Sequence, residues 1–262
     1  MTKAQVVVLV MVVALSVSFG FQKINPLLVN HDEVSQDTIT NNQDSVSRPE
    51  WAALYDSLDL KNQGLSEVAF QYAWYGYQKM NLGKHILAIA DFSQSSCKKR
   101  LYVIDFLQKK LVLNTFVAHG KNSGQEFAKN FSNDNSSFQS SLGFYKTLGT
   151  YQGKHGLSLR LEGVEKGIND RAYERAIVMH GADYVSEDFI KNTGRLGRSQ
   201  GCPAVSIADH KKLIQLLYNG AGLFIYSQNQ SYFKKSPLLA GLNLMKEKGQ
   251  ALGASLLYTS AK

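Results

Sequence analysis

Cysteine is scarce in this chain: 262 residues carry two, Cys97 and Cys202. Two thiols exclude a disulfide-stapled scaffold, so the fold has to be held by apolar burial. Six histidines are present, but none forms an H-x-H pair or the H-E-x-x-H helix of a zinc peptidase. A zinc site can be imagined from His119, His155, His180 and Asp183, and the wide spacing argues against it. A phosphate loop is missing too: Gly149-Thr-Tyr-Gln-Gly-Lys-His155 has the wrong spacing and a histidine where Ser or Thr is required. There is no nucleic-acid-binding motif and no internal repeat. After the N-terminus no apolar run approaches membrane-spanning length.

What is there suits one domain of ordinary size, since 44% of residues are hydrophobic. The formal charge of +8 draws such a surface toward anionic polymers. Residues 1–20 read as a signal peptide: Lys3 comes first, Val6 to Leu15 form the apolar heart, and Ser18-Phe-Gly20 supplies small residues for cleavage. The runner-up is an uncleaved anchor, because Val6 to Phe21 falls short of the ~20 residues a spanning helix needs. No cysteine stands near that cleavage site, which argues against a lipoprotein. Residues 21–48 are polar and aperiodic, the composition of a disordered linker. A folded domain follows over 49–228. Residues 229–262 hold five lysines against one glutamate, with Gly241, Gly249 and Gly253 diluting any helix, and read as a solvated basic tail.

Inside the domain, Trp51 to Leu60 reads as a short helix. Leu65, Val68, Ala69, Tyr72 and Ala73 then repeat at helical spacing behind a capping Ser66. The aromatics of that helix, Tyr72, Trp74, Tyr75 and Tyr77, are read as packing surface rather than a sugar platform. From His85 the period falls to two. The strands expected are 86–92, 100–106, 111–118, 142–147, 157–161, 176–179 and 223–226. One clear helix interrupts them, capped by Ser206, with Ile207, Leu213, Ile214 and Leu217 on its apolar side and Asn219-Gly220 as its stop. The fold class is therefore mainly β, a sandwich or barrel with an N-terminal helical segment and one later helix.

The stretch that carries chemistry is 177–205. An apolar strand delivers His180, and Ser199-Gln-Gly-Cys202 before Pro203 makes a tight turn bearing a thiol. A thiolate is a nucleophile and a nearby imidazole can take its proton. Gly201, lacking a Cβ, lets backbone N–H groups crowd toward a developing oxyanion, together with that of Cys202. Ser199 and Gln200 orient the turn or bind substrate. Arg160, Arg171, Arg175, Arg195 and Arg198 are planar donors for carboxylates, and Arg195 and Arg198 stand nearest the turn in sequence. His155 and Tyr151 are read as lining the substrate site.

His180-Gly181 with Gly197-Arg-Ser-Gln-Gly-Cys-Pro-Ala204 resembles the active-site segment of the YkuD-like murein L,D-transpeptidases. The resemblance runs through Val117 to Gly124, Ser140 to Tyr145, Tyr151 to Leu161 and on to Tyr226. Two departures stand out: Gln200 replaces a common histidine, and Ala204 replaces a common arginine or asparagine. The resemblance implies an exported periplasmic or cell-envelope enzyme, a monomer, whose partners are peptidoglycan stem peptides, with peripheral wall association and no nucleic acid. It implies Cys202 as nucleophile, His180 as base, no cofactor, and Gly181 and Tyr145 beside the substrate. Two other readings stay open: a zinc-dependent cell-wall peptidase, and an inactive wall-binding module with Cys97 and Cys202 bridged.

Overall fold

The computed structural model describes residues 48–242. The signal-segment and linker readings lie outside them, as does the end of the basic tail. The chain order is α1 (Glu50–Ser57), α2 (Glu67–Tyr77), β1 (Ile86–Asp91), β2 (Leu101–Asp105), β3 (Lys110–Thr115), β4 (Val117–Ala118), β5 (Gly143–Gly153), β6 (Gly156–Gly163), β7 (Val178–Ala182), α3 (Glu187–Thr193), β8 (Ala204–Ser206), α4 (Ile207–Leu217), β9 (Gly222–Tyr226) and α5 (Gln230–Lys235). Among the described residues no helix is long and apolar enough to cross a membrane.

The nine strands form one mixed sheet in the order β3-β2-β1-β9-β5-β6-β7-β8-β4. Its two edge strands, β3 and β4, are separated in the chain by Phe116 alone. The sheet must therefore curl until its edges nearly meet, which makes a nearly closed, mainly β barrel. Strands β1 and β9, third and fourth in that order, run parallel and are buried almost throughout. Helices α2 and α4 both pack on β1, which explains why it reads as an unbroken apolar run.

Ser66 caps α2 by accepting from the Ala69 N–H at 3.1 Å, and Ser206 caps α4 by accepting from the Asp209 N–H at 3.1 Å. The helical faces differ from the sequence reading at single positions. Val68 is 48% exposed and Phe70 takes its place in the core, while Ile207 is 55% exposed and His210 is buried. The α2 aromatics pack as read: Trp74 meets Phe106 edge-on at 5.2 Å and Tyr77 lies 4.2 Å from the same ring. Four elements went unread, one of them α5. The segment 111–118 is two strands, β3 and β4; β8 is too short to show a period; and α3 carries no buried side chain to make one.

The solvated-tail reading does not hold for residues 229–242, which fold back as α5 and a following turn. Tyr232, Phe233, Leu239 and Leu242 are buried, and Phe233 stacks on Tyr72 with centroids 4.3 Å apart. Glu165 anchors them. Its buried carboxylate accepts from the Phe144 N–H at 2.7 Å, from Tyr232 at 3.1 Å, and from the Ser236 hydroxyl. Burial raises its pKa, and those three donors oppose the rise. The lysines hid the aromatic pair beside them, because the Lys234 and Lys235 charges dominate a segment too short for a helical period. Phe233→Ala is expected to lower unfolding free energy by about 3–5 kcal/mol in chemical denaturation, as for other buried aromatics. A solvated tail would leave the midpoint unmoved.

Candidate active site

Pairing of β7 with β8 builds the site. The two run parallel with His180 opposite Ala204 and Gly181 opposite Val205, so the turn that precedes β8 is carried alongside β7. His180 sits in the middle of β7 rather than at its end, as the sequence reading had it. Gly181 is glycine because a Cβ there would lie 2.9 Å from Cγ of His210 and 3.0 Å from Ile207. That close approach seats α4 on the strand.

The Cys202 sulfur accepts from the Val178 N–H at 3.4 Å and faces the carbonyl of Ala176 at 3.7 Å. Ala176 has φ +52°, a left-handed conformation that costs a non-glycine residue energy and occurs here against the Cys202 thiol. Ser199 fixes the turn: its hydroxyl donates to the Cys202 carbonyl at 2.6 Å and accepts from the Gly201 N–H at 3.0 Å. The Gly201 N–H is thus spent within the turn. The sequence reading has Gly201 as an oxyanion donor; here its N–H is paired with the Ser199 hydroxyl. Glycine is required there for another reason, since φ is +122° and a Cβ would stand 2.8 Å from the Gln139 carbonyl oxygen.

The Nδ1 atom of His180 lies 2.9 Å from the Gly181 carbonyl. A carbonyl can only accept, so Nδ1 carries the proton and Nε2 keeps its lone pair. Burial lowers the His180 pKa, with His155, Lys154 and His210 adding to the effect and the Gly181 bond opposing it. Burial raises the Cys202 pKa, opposed by the Val178 N–H, Arg175 and Lys154. Both shifts favour the uncharged forms, a thiol at Cys202 and a neutral imidazole at His180. His155 stacks on the His180 ring, centroids 4.3 Å apart.

His180 and Cys202 open into one cleft of about 650 Å³. Tyr151, Lys154 and His155, on the β5–β6 hairpin beyond its irregular register at Thr147, form one wall. Ser158, Glu174 to Val178, Tyr184, Arg198 to Gln200 and, from the irregular segment 135–138, Asn135, Ser136 and Phe138 also line the cleft.

A model of the L,D-transpeptidase catalytic domain family matches residues 61–226, more than half of the chain. The chain belongs to that family. It is similar in structure to an L,D-transpeptidase from Mycobacterium smegmatis, at 13% identity and a TM-score of 0.34, over 55% of this chain and 60% of that one. An L,D-transpeptidase from Stackebrandtia nassauensis matches at 15% identity and 0.33, over 69% and 77%. The helical cell shape determining protein Pgp2 from Campylobacter jejuni matches at 12% and 0.36, over 61% and 56%. No curated protein matches the chain in sequence. Family members act on the peptidoglycan of the cell wall, outside the cytoplasmic membrane.

Within this L,D-transpeptidase domain the structure brings Cys202, His180, Ser199, Gln200, Arg198, Tyr151 and His155 into one cleft. It does not bring Tyr145 or Arg195 there. Tyr145 is fully buried and donates to the Ser141 carbonyl at 2.9 Å, because its position in β5 faces the barrel core. Arg195 donates to the carbonyl of its neighbour Leu196 at 2.7 Å and lies off the cleft. Ala204 is buried in β8. Sequence reasoning missed Lys154, Tyr184 and Arg175 as cleft residues, although Arg175 was noted as a candidate cation. No spacing signals them; three-dimensional proximity does.

Among the described residues no three side chains of ligand type converge. His119 is sealed beneath the turn, where Nδ1 accepts from Arg100 at 2.8 Å, and burial together with that cation lowers its pKa to about 3. Its carbonyl accepts from the Ser199 N–H at 3.0 Å. Arg100, itself buried and lowered to about 9, thereby ties the sheet to the Ser199–Cys202 turn. Both cysteines are free, and Cys97 donates to the Gly194 carbonyl at 3.2 Å.

Two outcomes follow from these charges. Iodoacetamide should alkylate Cys202 slowly at neutral pH, with a rate that climbs at a pH above the ordinary thiol range near ~8.5; a fast plateau at pH 6 would mean a thiolate–imidazolium pair instead. Since a lowered His180 pKa keeps the ring neutral to lower pH, the acid limb of kcat/KM should fall below ~6.5, as read from a pH–rate profile.

Proposed function

We propose that this domain is an active L,D-transpeptidase in which Cys202 attacks a stem-peptide carbonyl with His180 as general base. The observation that carries the reading is the tautomer lock on His180, which leaves Nε2 basic in the cleft that Cys202 shares. The thiol turns from the Ala176 carbonyl toward Nε2 and gives up its proton as sulfur bonds to the carbonyl carbon. The carbonyl at the diamino-acid residue becomes tetrahedral, and the backbone N–H groups of Val178 and Cys202, which both face the sulfur, are the nearest donors to its oxyanion. The C–N bond then breaks, the imidazolium protonates the departing D-alanine, and a thioester remains. An amine attacks the thioester, losing its proton to His180, and the thiol is regenerated. Water in place of the amine gives hydrolysis.

Recognition of the donor carboxylate falls to Arg198 and Lys154. One Arg198 nitrogen donates to the carbonyls of Lys121 and Gly124, at 3.3 and 3.2 Å, which fixes the guanidinium while its other edge stays available to the cleft. Charge of this sign in the cleft fits a substrate that ends in carboxylates.

Purified muropeptides incubated with the protein should yield D-alanine and either cross-linked or trimmed products by mass spectrometry. Cys202→Ala should abolish both, and His180→Gln should slow turnover by about 10²–10⁴-fold. Full activity of Cys202→Ala, lost instead to a chelator, would replace this reading with a metallopeptidase.

A further inference from the structure

We propose that Arg175 is the positioning residue of the nucleophile turn, clamping the wall formed by residues 132–141 against Gly201. The inference rests on the function proposed above only for its turnover readout.

That wall needs holding. Residues 132–141, Ser-Asn-Asp-Asn-Ser-Ser-Phe-Gln-Ser-Ser, belong to no helix or strand. Two of its non-glycine residues, Ser136 and Phe138, have φ +57° and +53°, a region such residues leave unless the surroundings enforce it. Asn135, Ser136 and Phe138 nevertheless line the cleft. An unsupported segment there would blur the shape of the site.

The Arg175 guanidinium supplies the support in four hydrogen bonds. Nη1 donates to the Ser132 carbonyl at 2.9 Å and to the Ser141 hydroxyl at 2.6 Å, and so grips both ends of the segment. Nη2 donates to the Gln139 carbonyl at 2.8 Å and the Ser137 hydroxyl at 3.2 Å, and so grips its middle. The planar fork makes this possible, since its donors point in fixed directions that an ammonium cannot copy. The Gln139 oxygen held in this way is the atom pressed against Gly201, and the adjacent Ser140 hydroxyl donates to the Gly201 carbonyl at 3.2 Å. The clamp therefore reaches the residue before Cys202.

Arg175 also immediately precedes Ala176, whose left-handed backbone offers its carbonyl to the Cys202 thiol. The guanidinium is close enough to favour the thiolate, one of the influences opposing burial at Cys202. Clamp and charge can be separated by experiment, because lysine keeps the second and loses most of the first.

The test uses the full chain with Cys97→Ser, so that Cys202 is the only thiol. Folding of each variant is checked by circular dichroism. Rates of iodoacetamide alkylation are measured against pH, and turnover on purified muropeptides is measured alongside. With Arg175→Gln the alkylation midpoint should move to higher pH and kcat should fall on the order of 10²-fold. With Arg175→Lys the midpoint should return toward wild type while kcat stays low. The double variant Ser137→Ala with Ser141→Ala removes two acceptors and leaves the charge; it should lower kcat without moving the midpoint, and it stands in should Arg175→Gln fail to fold. A folded Arg175→Gln protein with unchanged kcat and midpoint overturns the proposal, as does an unchanged kcat in the double variant. Should no variant or wild type turn over muropeptides, limited proteolysis within residues 132–141 reads the clamp directly: faster cleavage in Arg175→Lys and in the double variant than in wild type supports it and unchanged cleavage overturns it, which separates failure of the clamp from failure of the assigned reaction.

Discussion

The parallel pairing of β7 with β8 is the constraint on which the rest depends. His180 opposite Ala204 places the turn ending in Cys202 beside the strand that carries the imidazole, and no local sequence preference could do so. A slip of one residue would turn His180 to the other face, because side chains alternate along a strand. The register is pinned by packing on both sides of it. Gly181 admits His210 and Ile207 of α4 at close range, and Ser199 bonds the turn to itself at both ends.

Buried polar groups around this register are all matched, and their partners explain their charge states. Among the described residues no buried side-chain nitrogen or oxygen lacks a hydrogen-bond partner. Arg100 and His119 share one proton-poor contact beneath the turn, which holds His119 neutral and lends its carbonyl to Ser199. Glu165 plays the corresponding part at the opposite end of β5, where three donors draw α5 onto the barrel. Each is a buried ionisable group whose loss would strand its partners, a costlier event than loss of a surface pair. At Cys202 and His180 the same burial raises the thiol pKa and lowers that of the imidazole.

Much of the fold was legible wherever a period was long enough to register. Ser66 and Ser206 were readable as caps because a hydroxyl before an apolar repeat has one evident use, and the central strands were readable because both of their faces are covered. What escaped was short or charged: β8, α3, and the aromatic pair of α5 between polar and lysine-rich flanks. In the site, His180, Cys202 and Ser199 announced themselves through the residues next to them. Lys154, Tyr184 and Arg175 have no such neighbours, and Tyr145 and Arg195 looked suitable in sequence while their strand face and local hydrogen bonds turned them elsewhere.

Residue chemistry alone determined that a thiol on a glycine turn and an imidazole on a strand were the reactive candidates, since both properties are local to a few neighbouring positions. Tertiary structure alone decided which tautomer the imidazole holds, that the Gly201 N–H is already committed, and which cations face the cleft. Those depend on where a carbonyl, a hydroxyl or a guanidinium from a distant segment comes to rest, and hydrogen bonds between segments far apart in the chain leave no period or spacing to read.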